Sequence, residues 1–214
     1  WRANGQTLFV PGGQRIASPG NLHIEGDWSH AAFYLAAGAI GRGEIRLTGL
    51  DPHSAQGDRA IVEILRDMGA DIRWEGDALV SRALRLHGLH VDCAQVPDLV
   101  PILAVAMAAA EGESCITGAA RLRIKESDRL SAMAAALTAA GADVTELPDG
   151  LIIRGGKPLH AATVEGCNDH RIVMAMTIAS AVADGKLTVT DAEATAKSAP
   201  AFWQEFEHLG GLAR

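Results

Sequence analysis

Three stretches of small and apolar residues recur along the chain, and each of them begins at an aspartate. The stretches follow Asp27, Asp98 and Asp169, and successive aspartates stand 71 residues apart in both steps. A helix that is apolar around its whole circumference is usually buried, so the pattern predicts three buried helices. A repeat of this kind indicates an architecture built from similar units.

Further landmarks keep the same period within each unit. A glycine and a charged residue follow each apolar stretch and open a short strand-like run, at Gly43, Gly112 and Gly185. A second helical pattern then begins, apolar on one side only, and it ends at a glycine, as helices commonly do. The glycines that end these second helices are Gly69, Gly141 and Gly210. Each unit therefore reads helix, strand, helix and one or two strands, which predicts an α/β fold.

The repeat covers most of the chain but not its first residues. We expect residues 25–214 to form one domain of three units, with approximate bounds 27–97, 98–168 and 169–214. Residues 1–24 do not follow the pattern and contain turn signals such as Pro-Gly pairs. We expect them to be a trailing segment and linker from a preceding, absent region. Since the chain opens on Trp1 rather than methionine, we expect a piece of a longer protein.

Composition and net charge exclude some classes of binding partner. The chain has 214 residues, of which 48% are hydrophobic, and a formal net charge of -7, which argues against a nucleic-acid or membrane-surface partner. No apolar run reaches the roughly 18 residues that span a bilayer. Cys93, Cys115 and Cys167 are odd in number and widely spaced, which predicts reduced thiols in a cytoplasmic protein.

The three aspartates that begin the apolar stretches have two interpretations. Each can be an N-cap, accepting hydrogen bonds from the first free amides of its helix. Asp98 follows Pro97 and precedes a purely apolar stretch, so a cap alone explains its position. A carboxylate at this place can equally act as a base, and spacing alone leaves the choice open.

Cations interrupt the pattern at two further places. Arg171, after His170, falls in the first turn of a buried helix, where the helix dipole disfavours a cation. Either a bound anion satisfies both the arginine and the helix, or Arg171 pairs with a neighbouring carboxylate. The run from Arg121 to Arg129 is the densest charge cluster and is either a solvated loop or an anion site with Glu126 beside it. Lys125 and Arg129 are four residues apart and share a face if the run is helical.

A threefold arrangement brings the starts of the three buried helices together at one end. Their positive ends and the cations beside them predict a site for a small polyanion. Lys197, at the place in the third unit that corresponds to the second charge cluster, adds a cation. We expect no metal and no cofactor, because the sequence has no HExxH, no Cys/His ligand set, no P-loop and no dinucleotide-binding fingerprint.

Several segments together resemble one enzyme family. The run Arg-Ile-Lys-Glu-Ser-Asp-Arg at 123–129, the stretch after Asp98 and Asn-Asp-His-Arg at 168–171 resemble 5-enolpyruvylshikimate-3-phosphate synthases. The segments that begin at Glu25 (Glu-Gly-Asp-Trp-Ser-His) and Lys197 (Lys-Ser-Ala-Pro-Ala-Phe-Trp) are similar as well. The resemblance covers nearly the whole chain.

The resemblance implies a particular fold and a missing partner. The family has two similar domains, each of three βαβαββ repeats (an inside-out α/β barrel), which close on substrates in the cleft between them. The chain would then be the C-terminal half, with the crossover near Glu25. The N-terminal half would be missing, and with it the N-terminal strand that completes this domain.

The resemblance also implies a reaction of the shikimate pathway, which leads to aromatic amino acids. The family transfers the enolpyruvyl group of phosphoenolpyruvate to the 5-hydroxyl of shikimate 3-phosphate and releases phosphate, without a metal. Carried over by motif, Asp98 would be the base at the hydroxyl. Glu126, together with Lys197, would handle the proton on the phosphoenolpyruvate methylene.

Binding roles follow from the same motifs. Lys125 would bridge to the shikimate substrate, and His170 would support the site. Arg121 stands where some members have an asparagine that touches the shikimate phosphate, so that one contact is in question. The residues that would bind phosphoenolpyruvate are Arg129, Arg171 and Lys197.

Two alternatives remain at this point. The enolpyruvyl transferase that acts on UDP-N-acetylglucosamine shares the fold, but it uses a reactive loop cysteine and lacks the Lys-Glu-Ser-Asp-Arg run. The other alternative is a non-catalytic half that binds a ligand or partner without turnover, and we expect the isolated chain to be inactive. We expect a cytoplasmic monomer.

Overall fold

The protein folds as an α/β domain around three packed helices, in a computed structural model that describes residues 2–3 and 7–213. The inner helices contact one another, and most of their residues are buried. The prediction of three buried apolar helices is confirmed. The inner helices are α1 (Trp28–Ile40), α3 (Val100–Ala109) and α5 (His170–Ala179), and the outer helices are α2 (Ile61–Asp67), α4 (Arg129–Ala139) and α6 (Phe202–His208).

The outer helices end where the sequence predicts. Gly69, Gly141 and Gly210 follow them with φ angles of 105°, 92° and 93°, respectively. This left-handed conformation is free of strain only for glycine, so each glycine allows the chain to leave its helix and turn back. The predicted glycine stops are confirmed.

Strands on the outside of the helices form three main sheets. The order in the first sheet is β3-β5-β4, all antiparallel, and in the second β6-β7-β9-β8, with β6 parallel to β7. In the part of the chain that the structure describes, the third sheet consists of the parallel pair β10-β11. The strands are β1 (Arg2–Ala3), β2 (Leu8–Phe9), β3 (Glu44–Leu47), β4 (Asp71–Glu75), β5 (Ala78–Arg82), β6 (His90–Asp92), β7 (Gly112–Thr117), β8 (Asp143–Leu147), β9 (Gly150–Gly155), β10 (Leu159–Val164) and β11 (Ala183–Val189).

Only the middle unit is complete within the described residues. The order β6-α3-β7-α4-β8-β9 is the predicted βαβαββ repeat. Among residues 2–3 and 7–213, no strand pairs in parallel with β3 in the first unit, and no antiparallel pair follows α6 in the third. The predicted α/β fold of three repeated units is confirmed, and within the described residues the whole βαβαββ order is seen in the middle unit.

The segment before the domain lies apart from the core. Residues 7–24 are exposed, and β2 pairs antiparallel with β1. Gly26 is joined to the domain by a backbone hydrogen bond, since its N–H donates to the carbonyl of Gly49 at 2.9 Å. Residues 1, 4–6 and 214 lie outside the described residues, so the predicted segment 1–24 and the domain end at 214 are compared only in part. The boundary at residue 25 stays a prediction.

Candidate active site

The amino-terminal ends of the three inner helices meet at one end of the domain. Arg171, in the first turn of α5, donates to the hydroxyl of Ser29 in the first turn of α1 at 3.0 Å. Its Nη2 atom also lies 3.5 Å from Oδ2 of Asp98, directly before α3. One side chain therefore links all three units. Because helix starts carry partial positive charge, this end of the domain favours an anion.

Arg129, the first residue of α4, lies at the centre of the site and is only 1% exposed. Its Nε donates to Oδ2 of Asp169 at 2.8 Å, and its Nη1 donates to Oδ1 of Asp98 at 2.9 Å. Its Nη2 is shared between Glu126 at 2.7 Å and the other oxygen of Asp169 at 3.2 Å. A buried guanidinium is tolerated only when it is paired in this way.

Asp98 is surrounded by cations on three sides. Besides Arg129 and Arg171, the ammonium of Lys125 lies 3.5 Å from its Oδ1. Burial by itself raises the pKa of this carboxyl, but the attraction of Arg171, Lys125 and Arg129 outweighs burial and brings the pKa below its ordinary value. Asp98 is therefore a carboxylate at neutral pH.

The three aspartates that begin the units differ in their surroundings. Asp27 is an N-cap, since its Oδ1 accepts from the backbone N of Ser29 at 2.8 Å. The N-cap interpretation of Asp98 is wrong, because its carboxylate makes no cap bond and instead faces the cations. Asp169 caps α5 through the backbone N of Arg171 at 2.9 Å and also holds Arg129.

Asp169 is fully buried, which is rare for a carboxylate. Burial raises its pKa, but hydrogen bonds and attraction from Arg129, together with bonds from the backbone of Arg171 and from Ser127, lower it below its ordinary value. Ser127 Oγ donates to Oδ2 at 2.9 Å. The carboxylate is thus a fixed counter-charge for Arg129.

Lys125 and Arg129 converge without sharing a helix. Residues Ala120–Ile124 form a short 3-10 helix, and α4 begins only at Arg129, after the N-cap Asp128. The run is not one continuous helix, so the condition under which the two cations would share a helical face is not met. The loop after Ile124 nevertheless brings both cations to Asp98.

The other charged residues of the 121–129 run have separate positions. Arg123 pairs with Asp128 at 3.0 Å and with Glu146, so it is structural. Arg121 is exposed and donates to the backbone carbonyl of Ala94. Glu126 is exposed on one side, while its Oε2 pairs with Arg129 at the centre.

Lys197 and His170 border this cluster. Lys197 ends the 3-10 helix Ala192–Lys197, and its ammonium donates to the backbone carbonyl of Asn168 and to its Oδ1 at 3.0 Å. His170 is 6% exposed, and its Nδ1 is buried with no hydrogen-bond partner. Burial, helped by the positive charge of Arg171, lowers the pKa of this imidazole, so the ring is neutral at neutral pH.

Sequence reasoning missed three residues near the site. Ser29 holds Arg171, and Asn168 holds Lys197, although Asn168 belonged to a noted motif. Burial raises the pKa of Asp58, with Asp98 and Asp27 adding to the rise while Arg171 and Lys125 oppose it. The repeat contained a signal for Asp58, since it stands 70 residues before Asp128 at the start of the corresponding outer helix.

Among residues 2–3 and 7–213, no group of three or more His, Cys, Asp or Glu side chains is arranged to hold a metal ion. In the same part of the chain, no helix has the length and apolar character needed to cross a membrane. Cys93, Cys115 and Cys167 are all unpaired, as expected for thiols.

Comparison with known proteins identifies the family. The family model described as EPSP synthase (3-phosphoshikimate 1-carboxyvinyltransferase) matches residues 2–206. The chain belongs to the EPSP synthase family. The resemblance inferred from the motifs is therefore confirmed.

Curated members of the EPSP synthase family are longer than this chain. The chain is 42% identical over 209 residues to the 3-phosphoshikimate 1-carboxyvinyltransferase of Clostridium novyi, covering 98% of the chain and 48% of that protein. It is 44% identical over 206 residues to that of Clostridium acetobutylicum, covering 96% and 47%. The chain thus spans about half the length of the curated relatives it matches.

A solved EPSP synthase supports the fold. The enzyme from Acinetobacter baumannii matches with a TM-score of 0.74 and 33% identity, over 86% of this chain and 46% of that one. The predicted fold, one domain of the two-domain enolpyruvyl transferase architecture, is confirmed.

Proposed function

We propose that the chain forms half of the active site of a 3-phosphoshikimate 1-carboxyvinyltransferase, which transfers the enolpyruvyl group of phosphoenolpyruvate to the 5-hydroxyl of shikimate 3-phosphate. The observation that supports this most is the convergence of Lys125, Arg129 and Arg171 on Asp98 at the mouth of three helices. The curated relatives bear the name of this reaction. This favours it over the transfer to UDP-N-acetylglucosamine.

Binding of phosphoenolpyruvate is the first role of the cations. Arg171 lies at the N-terminus of α5, where the helix dipole and the guanidinium both attract an anion. Arg129 is saturated by carboxylates, so it binds the ligand's carboxylate by exchanging Glu126, the partner with an exposed side. Lys197, which faces solvent, adds a third cation, and Lys125 bridges to the shikimate substrate.

Asp98 acts as the base that takes the proton of the 5-hydroxyl. The three cations hold its pKa low, which makes the free carboxylate a weak base. A bound phosphoenolpyruvate shares the attraction of those cations and so releases Asp98 from part of it. The pKa of Asp98 then rises, so Asp98 becomes a stronger base only when phosphoenolpyruvate is bound.

Glu126 manages the proton on the methylene carbon. Once the ligand displaces it from Arg129, its carboxylate takes up a proton from solvent. The resulting carboxyl group gives that proton to the methylene carbon as the hydroxyl oxygen adds to the neighbouring carbon and the hydroxyl proton passes to Asp98. In the second step Glu126 takes a proton back, assisted by Lys197, while phosphate leaves with the proton from the hydroxyl. No metal or cofactor takes part in this scheme.

His170 and Arg121 have supporting roles in the proposal. His170 is neutral and buried beside Asp169, so it fills the wall of the site without adding charge. Arg121 is exposed at the rim, where it approaches the shikimate phosphate if it releases the carbonyl of Ala94.

The other half of the enzyme is the partner that we propose. The two Clostridium relatives are each about twice as long as this chain, and among the described residues the third sheet has only two strands. A groove of about 940 Å³ beside β11, bounded by the start of β3 and by α6, is where a segment of the missing half completes the sheet. We place the complete enzyme in the cytoplasm as a monomer, with this chain as its C-terminal half.

Phosphate release tests the proposal. With phosphoenolpyruvate and shikimate 3-phosphate, we expect release by the full-length protein and none by the 214-residue chain alone. Asp98→Ala and Lys125→Ala in the full-length protein should each lower kcat/KM by about 100-fold or more. Activity in both variants would contradict the residue roles. A full-length protein that binds both substrates without turnover would instead support a non-catalytic binding protein.

A further inference from the structure

Two loops lie side by side at the carboxyl ends of the parallel strands β10 and β11. The backbone N of Thr190, after β11, donates to the carbonyl of Val164 at 3.1 Å, and the Oγ1 of Thr190 accepts from Gly166 at 3.0 Å. The backbone N of Asn168 then donates to Oδ2 of Asp191 at 2.8 Å. Three hydrogen bonds thus fix one loop against the other.

The backbone of these loops is strained. Cys167, Asn168 and Asp191 have φ angles of 53°, 50° and 55°, and among the described residues they are the only non-glycine positions with positive φ. Asparagine and aspartate tolerate this region better than other side chains do. Such strain persists only where surrounding contacts enforce it, and it concentrates at functional sites.

The strained loops form the binding place of the Lys197 ammonium group. Both hydrogen bonds of the ammonium go to Asn168, one to its carbonyl and one to its side chain. A lysine stem has four flexible carbons, so these contacts decide where its charge lies. The residue after Asn168 is Asp169, which holds Arg129, so the same turn fixes two cations of the site.

We propose that Asp191 and Asn168 are positioning residues that orient Lys197 toward phosphoenolpyruvate. Asp191 fixes the left-handed turn at Asn168, and the turn presents two oxygens to the ammonium. Neither residue touches the substrate in this scheme. The inference rests on the proposed function, because it assigns to Lys197 a role in that reaction.

The test uses variants of the full-length protein with kcat and KM measured for each substrate. Asp191→Ala removes the acceptor for the Asn168 amide, so we expect kcat/KM for phosphoenolpyruvate to fall about tenfold, as for a lost hydrogen bond that supports a charged group. Asp191→Asn keeps both an acceptor oxygen and the preference for positive φ, so it should stay within about threefold of wild type. Asp184→Ala, an exposed aspartate at the opposite end of β11, is the matched control and should not change kcat/KM.

A double-mutant cycle separates positioning from a purely structural effect. If Asp191 acts through Lys197, then Asp191→Ala should change kcat/KM less than twofold in a Lys197→Ala background. If Asp191→Ala does not fold, Asn168→Gly replaces it in the test, because glycine keeps the turn but removes the side-chain oxygen. The fall in kcat/KM that Asn168→Gly causes should likewise disappear in the Lys197→Ala background.

Each outcome decides the inference. The positioning role would be overturned if Asp191→Ala had the kcat/KM of the wild type. It would also be overturned if Asp191→Ala lowered kcat/KM equally in the wild-type and Lys197→Ala backgrounds. In both cases the proposed function would stand, provided that the wild type releases phosphate. An unaffected Lys197→Ala variant would overturn the positioning role as well. Absence of phosphate release by the wild-type full-length protein would overturn the proposed function itself and this inference with it.

Discussion

The substitution Asp169→Asn removes one negative charge from the centre of the buried ion network and keeps the shape of the side chain. Asp169 accepts from Arg129 through both carboxylate oxygens, and also from Ser127 and from the backbone of Arg171. In either orientation of the new amide, its NH₂ group faces at least one N–H group of Arg129. A donor then opposes a donor, and Arg129 loses one of its three charge partners.

The expected loss of stability follows from this geometry. Removing one partner of a buried ion pair costs about 3–5 kcal/mol. Arg129 keeps Asp98 and Glu126, and the asparagine keeps one acceptor oxygen, so the loss lies toward the lower end. We expect the free energy of unfolding to fall by about 3 kcal/mol at pH 7.

The effect of pH has a definite sign. Because the pKa of Asp169 is depressed in the folded state, its contribution is fully present above the unfolded-state pKa of about 3.9 and is lost as the pH falls through the folded-state pKa. The difference between wild type and Asp169→Asn should therefore be constant from about pH 7 to pH 5 and shrink below about pH 4.

Urea unfolding followed by tryptophan fluorescence measures this difference, since Trp28 is buried in α1 with 1% exposure. Asp184→Asn, at an exposed position on β11, is the control and should change the free energy by less than about 0.5 kcal/mol. A loss in Asp169→Asn below about 1 kcal/mol, or equal to that of the control, would refute the account of Arg129 as a buried, charge-dependent centre.

Two further predictions concern accessibility and close packing. Burial, helped by Asp92, raises the pKa of Cys93 to about 12, whereas Cys167 is exposed. A thiol reagent at pH 8 should therefore label Cys167 and leave Cys93 unlabelled in the native protein. Mass spectrometry of the digested protein measures the labelling. Gly166→Ala should lower the unfolding free energy by about 2–3 kcal/mol in urea titration, because its Cβ would lie 2.3 Å from the Thr190 carbonyl oxygen; an unchanged midpoint would show that the two loops are not held together.

The period of the sequence predicts the helices and their stops, because burial and glycine conformation are local consequences of residue type. The repeat does not predict the different surroundings of the three aspartates. Asp27, Asp98 and Asp169 occupy equal places in the repeat, yet one is an exposed cap, one faces three cations and one is fully buried. Their partners lie in other units, so no local pattern distinguishes them.

The sequence predicts that cations cluster near Glu126, but not how they meet. Lys125 and Arg129 would share a face only in a continuous helix, whereas a loop brings both to Asp98. The sequence leaves two partners open for Arg171, a bound anion or a neighbouring carboxylate. The guanidinium lies beside the carboxylate of Asp98, and it does so at the helix starts, where an anion is also favoured. The geometry of a loop depends on its tertiary contacts, which a single sequence does not display.

The hydrogen bonds that close the threefold arrangement also bear on how the chain folds. Arg171 reaches Ser29 across 142 residues of sequence, and Tyr34 donates to Glu205 across 171. In an open solenoid each repeat contacts only its neighbours and can unfold from an end. Here the first and last units contact each other directly, so neither is a terminal repeat that can fray. We expect slow folding, set by loop closure over most of the chain, and a single cooperative loss of all three units.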